Sequence, residues 1–306
     1  MTGTIEQQYL DLMADILKRG TRQEDRTGVG TLSLFGAMLR HDMSEGVLPA
    51  LTTKRVYWKT AVREMLWFLT GGTNIRPLVL QGVKIWNEWP HAIYVRETGD
   101  DIEVGEFARR IAEDEEFALL WGDLGPVYGK QWVDWPTYVP LGDGRYERGP
   151  GIDQVAAVIK SLRENPGGRR HIIEGWNVAE LDRMALPPCH KSYQFAVRDG
   201  RLDCLLYQRS CDVFLGLPFN LIGQAVLTAM IAQQVELVPG ELIWSGGDVH
   251  VYSNHVDQVH QQLARTPRAL PSLKLNNRSA MSEYRIEDFV VDGYHPHDPI
   301  AAPVAV

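Results

Sequence analysis

The sequence predicts an α+β fold, and three observations carry that expectation. Apolar residues recur with a helical period in some segments and a period of two in others. These segments do not alternate as βαβ units. Two strand-like runs are joined by Asp199-Gly200, the strongest short hairpin signal. No repeat or Gly/Ser-rich linker divides the 306 residues, so one domain is expected.

Along the chain, residues 5–19 (IEQQYLDLMADILKR) place apolar side chains on one helical face, and Gly20 stops the run. Residues 31–40 (TLSLFGAMLR) read as a strand. Residues 60–70 (TAVREMLWFLT) read as a helix ended by Gly71-Gly72. Residues 91–120 are acid-rich and partly helical, which suggests a surface insertion. A helix is expected over 152–162, with strands over 171–176, 192–198 and 201–207. The stretch 213–232 carries no charge, yet it contains Gly216, Pro218, Asn220, Gly223 and Gln224. A loop feeding a buried helix over 221–234 explains it better than a membrane span.

Composition narrows the function. Hydrophobic residues at 44% and charged residues at 23% describe a packed globular chain. A net charge of −8 argues against nucleic acid as the main ligand, but a few arginines can still form a local anion pocket. Three cysteines suggest reduced thiols and a cytoplasmic protein rather than a disulfide framework. The N-terminal residues lack a signal-peptide pattern. His250, His255 and His260 fit no common metal-ligand spacing, so no metal is expected.

The chemistry concentrates in two segments. In LPPCHKSYQF (186–195), two prolines fix the backbone before Cys189, as a nucleophile requires. Cys204, within a strand, and Cys211, within a polar segment, are expected to be structural. In QRSCDVFLGLPFN (208–220), Arg209 and Ser210 can clamp a phosphate. Asp212 can read an N–H pair of a flat heterocycle, and Asn220 carries the donor and acceptor that a uracil edge requires. Arg26 and the pair Arg169-Arg170 add candidate anion ligands. His250 and Tyr252 alternate on one strand face within reach of a sugar hydroxyl.

With these residues in view, the chain resembles the thymidylate synthase family from about Tyr9 onward. The matching blocks are EMLWFLTGGTNI (64–75), GDLGPVYGKQW (122–132), LPPCH (186–190), QRSCDVFLGLPFN (208–220) and the terminal APVAV. The resemblance implies a three-layer α+β subunit in a homodimer whose sheets pack together. It implies dUMP and 5,10-methylenetetrahydrofolate as ligands, and Cys189 as the thiolate that adds to C6 of the pyrimidine.

Carried over by position, Arg26, Arg209 and Ser210 would hold the phosphate, with Arg169 and Arg170 supplied by the partner subunit. Asn220 would select uracil, while His250 and Tyr252 would bind the deoxyribose. Asp212 would pair with the pterin, and Trp86 would stack near it. Glu64, with His190 nearby, would order proton-carrying water. Tyr128 would help the proton leave C5, and the carboxylate of Val306 would close the lid.

The chain departs from the family pattern at Val133, Glu174, Lys191, Ala196 and Gly223-Gln224. Polar additions near the C5 methylene would favour water over hydride. Synthases are nonetheless the commoner members of the family, so the resemblance implies reductive methylation of dUMP, with 5-hydroxymethylation of dUMP as the alternative.

Overall fold

The computed structural model describes residues 3–24 and 28–304. Helix α1 (Ile5–Arg19) starts where the Thr4 hydroxyl accepts the Gln7 N–H, and it ends as the Gly20 N–H closes onto Ile16. Its buried Glu6 accepts from the Thr52 N–H, the Thr52 hydroxyl and the Thr53 N–H. The helix thereby anchors the distant loop around residues 52–53. Strands β1 (Thr21–Gln23) and β2 (Thr31–Asp42) come next, then helices α2 (Trp58–Phe68) and α3 (Arg76–Leu80).

The acid-rich segment folds as three short helices, α4 (Glu88–Thr98), α5 (Val104–Glu113) and α6 (Glu115–Trp121). Tyr94, Phe107, Phe117 and Trp121 pack as an aromatic cluster between them. Arg76 donates to the Ile111 and Ala112 carbonyls and Asn74 to the Ala118 carbonyl, tying the cluster to the remainder of the chain. Helix α7 (Tyr128–Val133) precedes an exposed hairpin, β3 (Tyr138–Gly142) and β4 (Arg145–Arg148). A Cβ on Gly129 would lie 2.1 Å from the Phe68 carbonyl oxygen. Only glycine there lets α7 approach α2 closely enough to stack Tyr128 on Phe68, with centroids 4.7 Å apart.

Helix α8 (Gln154–Glu164) leads to β5 (His171–Glu174), β6 (His190–Arg198) and β7 (Arg201–Asp212). Asp199 and Gly200 both take positive φ, the geometry of a two-residue hairpin turn. Helix α9 (Leu217–Gln234) then crosses to β8 (Val238–Tyr252), followed by α10 (Val256–Leu263), β9 (Ser272–Leu275) and β10 (Phe289–Asp292).

The main sheet runs β1-β2-β8-β7-β6-β5. Its neighbours are antiparallel except β7 and β8, which are parallel because α9 carries the chain across between them. One sheet face packs on α1 and α9, and α2 packs over α9, giving three layers. Helix α9 is buried nearly all round, so each Leu or Ile in it contributes about 2 kcal/mol of burial. Along β7, Leu202, Cys204, Leu206 and Gln208 face this core. The intervening Leu205 and Tyr207 lie half-buried on the other face, near the exposed Phe35 and Met38 of β2. Among the described residues, no helix is long and apolar enough to cross a membrane.

Candidate active site

Cys189 is half-exposed, whereas Cys204 and Cys211 are buried. Burial pushes the Cys204 thiol up to about 12 and Cys211 well above its ordinary range. Cys211 lies within β7 rather than in an open polar segment, and its burial fits a packing residue. The backbone around Cys189 is held from three directions. Its N–H donates to the Tyr128 hydroxyl at 2.8 Å, and its carbonyl accepts the Arg209 N–H at 2.9 Å. The Arg209 side chain donates to the Pro187 and Pro188 carbonyls at 2.7 and 3.0 Å. The diproline brace thus has a cationic partner, and Arg209 still has N–H donors to spare for a ligand.

Tyr128 connects this loop to an aromatic wall. Its ring stacks on Phe68 and meets Trp86 and His190 edge-on, with centroids 5.7 and 5.6 Å away. Burial holds the phenol well above its usual pKa, so it keeps its proton. Trp86 donates to Glu64 at 2.7 Å. Burial raises the Glu64 carboxyl to about 7 while that hydrogen bond opposes the shift. His190 is buried and lowered to about 4, so it is a neutral imidazole. Glu64, Trp86, Tyr128, His190 and Cys189 therefore converge, although they come from four separate segments.

The Glu64 shift has a testable sign. A carboxyl raised on folding contributes stability below its unfolded value, near 4.5, and loses it as pH rises through about 7. Glu64→Gln is expected to gain melting temperature over the unmodified chain progressively between pH 5 and pH 8. A constant difference across that range would contradict the shift.

Asn220 sits at the end of a relay that fixes its orientation. The Trp244 indole N–H can only donate, and it binds Gln208 Oε1 at 2.8 Å. Gln208 Nε2 must then be the donor, and it reaches Asn220 Oδ1 at 2.9 Å. That leaves the Asn220 amide N–H groups as donors, with His190 within hydrogen-bonding reach of the same side chain. Neither Gln208 nor Trp244 stood out in the sequence as a site residue.

Of the remaining candidates, Ser210 and Asp212 lie on β7, and His250 and Tyr252 on β8. Asp212 Oδ1 accepts the Phe214 and Leu215 N–H groups, so half of its carboxylate shapes the turn into α9. Ser210 follows Arg209 in β7 and pairs across the sheet with Asp248. His250 Nδ1 contacts Asp248 at 2.6 Å, and its ring meets Tyr252 at 5.2 Å, so the two do share a strand face. Arg169 and Arg170 are exposed beside a cavity of about 540 Å³. Trp86 is 5% exposed, and its neighbour Trp89, 5.3 Å away, is the more open indole. Arg26 and Val306 lie outside the described residues.

Further groups had no reading in the sequence. The buried Lys54 ammonium donates to the Phe214 carbonyl and lies 3.4 Å from the Phe214 ring centroid. Burial lowers it to about 7. Trp176 packs beneath Arg209, with 5.2 Å from guanidinium carbon to ring centroid. The three polar departures are spent on structure. Gln224 donates to the Cys204 and Ile243 carbonyls beside the irregularity where β7 and β8 shift register. Lys191 pairs with Glu174 at 2.9 Å. Among the described residues no cluster of His, Cys, Asp or Glu side chains is arranged to hold a metal.

A braced half-exposed thiol, a buried carboxyl raised toward neutrality and an oriented amide thus meet on a three-layer mixed fold. The thymidylate synthase family model matches residues 7–306. A thymidylate synthase of Novosphingobium aromaticivorans is 63% identical, covering 98% of this chain and 96% of that one. Those of Cereibacter sphaeroides, at 60% over 98% and 99%, and Rhizorhabdus wittichii, at 55% over the whole of both, are also similar. The chain belongs to the thymidylate synthase family.

Proposed function

We propose that this chain methylates dUMP to dTMP, with 5,10-methylenetetrahydrofolate supplying both the carbon and the hydride. The single observation that carries the reading is the Cys189 loop, the accessible thiol held by Tyr128 and Arg209. The Cys189 thiolate adds to C6 of the base, and C5 becomes nucleophilic and attacks the folate iminium carbon. C5 then loses its proton, tetrahydrofolate departs and leaves an exocyclic methylene, and hydride from that folate reduces the methylene. Expulsion of the thiolate releases dTMP and dihydrofolate.

Arg209 and Ser210 hold the phosphate, joined by Arg26. His250 and Tyr252 take the deoxyribose hydroxyl. Asn220 donates to O4 of uracil, a contact that a 4-amino group cannot return. Tyr128, protonated and accepting the Cys189 N–H, orients the water that takes the C5 proton, and Glu64 with His190 orders the water that carries protons onward. Trp86 and Asp212 line the pterin side, and Val306 closes over the folate. The binding of Lys191, Glu174 and Gln224 to one another and to backbone supports hydride over water as the final donor. Product analysis tests the choice: dTMP with one dihydrofolate per turnover is expected, whereas 5-hydroxymethyl-dUMP with tetrahydrofolate would overturn it.

The functional unit is a cytoplasmic homodimer of single-domain subunits, with residues 91–120 as a surface insertion in each. Support for the dimer comes from the sheet face that bears Phe35, 86% exposed, and from Arg169 and Arg170 standing out from their own subunit. If each site borrows those arginines, mixing an inactive Arg170→Ala chain with an inactive Cys189→Ser chain restores activity, to about a quarter per subunit under random exchange. No recovery after verified subunit exchange would contradict shared sites.

A further inference from the structure

Two charged side chains beside the nucleophile have no part in the roles above. Lys191 is the extra residue of a bulge in β6: His190 pairs with Gln208, and Ser192 already with Tyr207. A bulge re-aims the added side chain, and here the ammonium donates to Glu174 Oε2 at 2.9 Å. Glu174 Oε1 accepts the backbone N–H of Trp176 at 2.9 Å. Gln154 accepts the Glu174 N–H and donates to its carbonyl, each at 2.9 Å, which leaves the carboxylate little freedom but its own rotation. Trp176 supports Arg209, and Arg209 holds both carbonyls of the Pro187-Pro188 brace.

We propose that Glu174 and Lys191 are positioning residues that act through Trp176 to set the plane of Arg209 toward the nucleotide phosphate. The inference rests on Arg209 being the phosphate ligand. The ion pair is partly solvated, with side chains 36% and 29% exposed, so it adds little stability. Its consequence is geometric. While Lys191 occupies Oε2, the carboxylate stays turned with Oε1 on the Trp176 N–H. Without the ammonium the carboxylate turns to water, Trp176 loses its acceptor, and the indole tilts under the guanidinium. Arg209 keeps its carbonyl bonds, so the loop survives while the grip on phosphate loosens.

Four variants test this: Lys191→Met, Lys191→Arg, Glu174→Gln and the Lys191→Met/Glu174→Gln double. Lys191→Met and Glu174→Gln are each expected to raise KM for dUMP about 10-fold, the scale of a small misplacement. The folate KM and the melting temperature stay unchanged, and Lys191→Arg stays near the unmodified values. The double variant is no worse than either single, because both remove one interaction. A normal dUMP KM in Lys191→Met, additive losses in the double, or parallel losses for both substrates with a lowered melting temperature would overturn the proposal. Failure of the unmodified chain to turn over dUMP would instead refute the underlying functional reading.

Discussion

Cys189→Ser is expected to lower turnover of dUMP by roughly ten-thousand-fold or more, the scale on which covalent catalysis loses its nucleophile. A serine hydroxyl fits the same space and leaves the backbone contacts with Tyr128 and Arg209 in place. Nucleotide binding therefore persists, and the loss falls on kcat. The other two thiols offer no substitute: both are buried, and burial disfavours their thiolates. Steady-state rates with calorimetric binding of dUMP separate the two effects. Substantial residual turnover, or loss of binding in parallel with rate, would contradict the assignment.

The second large effect is on base preference. Asn220→Asp is expected to swing the kcat/KM ratio of dUMP to dCMP by at least about a hundred-fold toward dCMP, as sites built on hydrogen bonds do. The relay from Trp244 through Gln208 ends by donating to position 220. A carboxylate there accepts that hydrogen bond with one oxygen and presents the other as an acceptor. Uracil O4 then faces an acceptor, whereas the cytosine amino group finds one. The ratio measured with both nucleotides decides the matter, and an unchanged preference for dUMP would count against Asn220 as the reader of the base.

Much of the fold was legible because its signals are local. Helix α1 matches the expected 5–19 because Thr4, Gly20 and the apolar period are all in the segment itself. The Asp199-Gly200 turn is likewise local. Helix α9 begins at Leu217 rather than 221, because Pro218 is tolerated in a first turn and did not mark a loop. Strand β6 begins at His190 rather than 192, since the bulge at Lys191 breaks the alternation that defines a strand in sequence. Strand β7 continues through Arg209 to Asp212, where side chains that look like a loop's point into a site.

The chemistry-bearing residues were readable from motifs, but not the groups that aim them. Trp244 lies 36 residues from Gln208, and Trp176 reaches Arg209 only through the sheet. Nothing local announces such contacts. The same holds for Trp86, whose indole N–H proves to be spent on Glu64 inside the aromatic wall.

The most direct measurement is mass spectrometry of the chain after incubation with 5-fluoro-dUMP and 5,10-methylenetetrahydrofolate. Fluorine at C5 cannot leave as a proton does, so the reaction halts with nucleotide and folate both attached. The account predicts one ternary adduct per active site, mapped after proteolysis to the peptide that contains Cys189. A chain that stays unmodified, or that carries the adduct on Cys204 or Cys211, would contradict it.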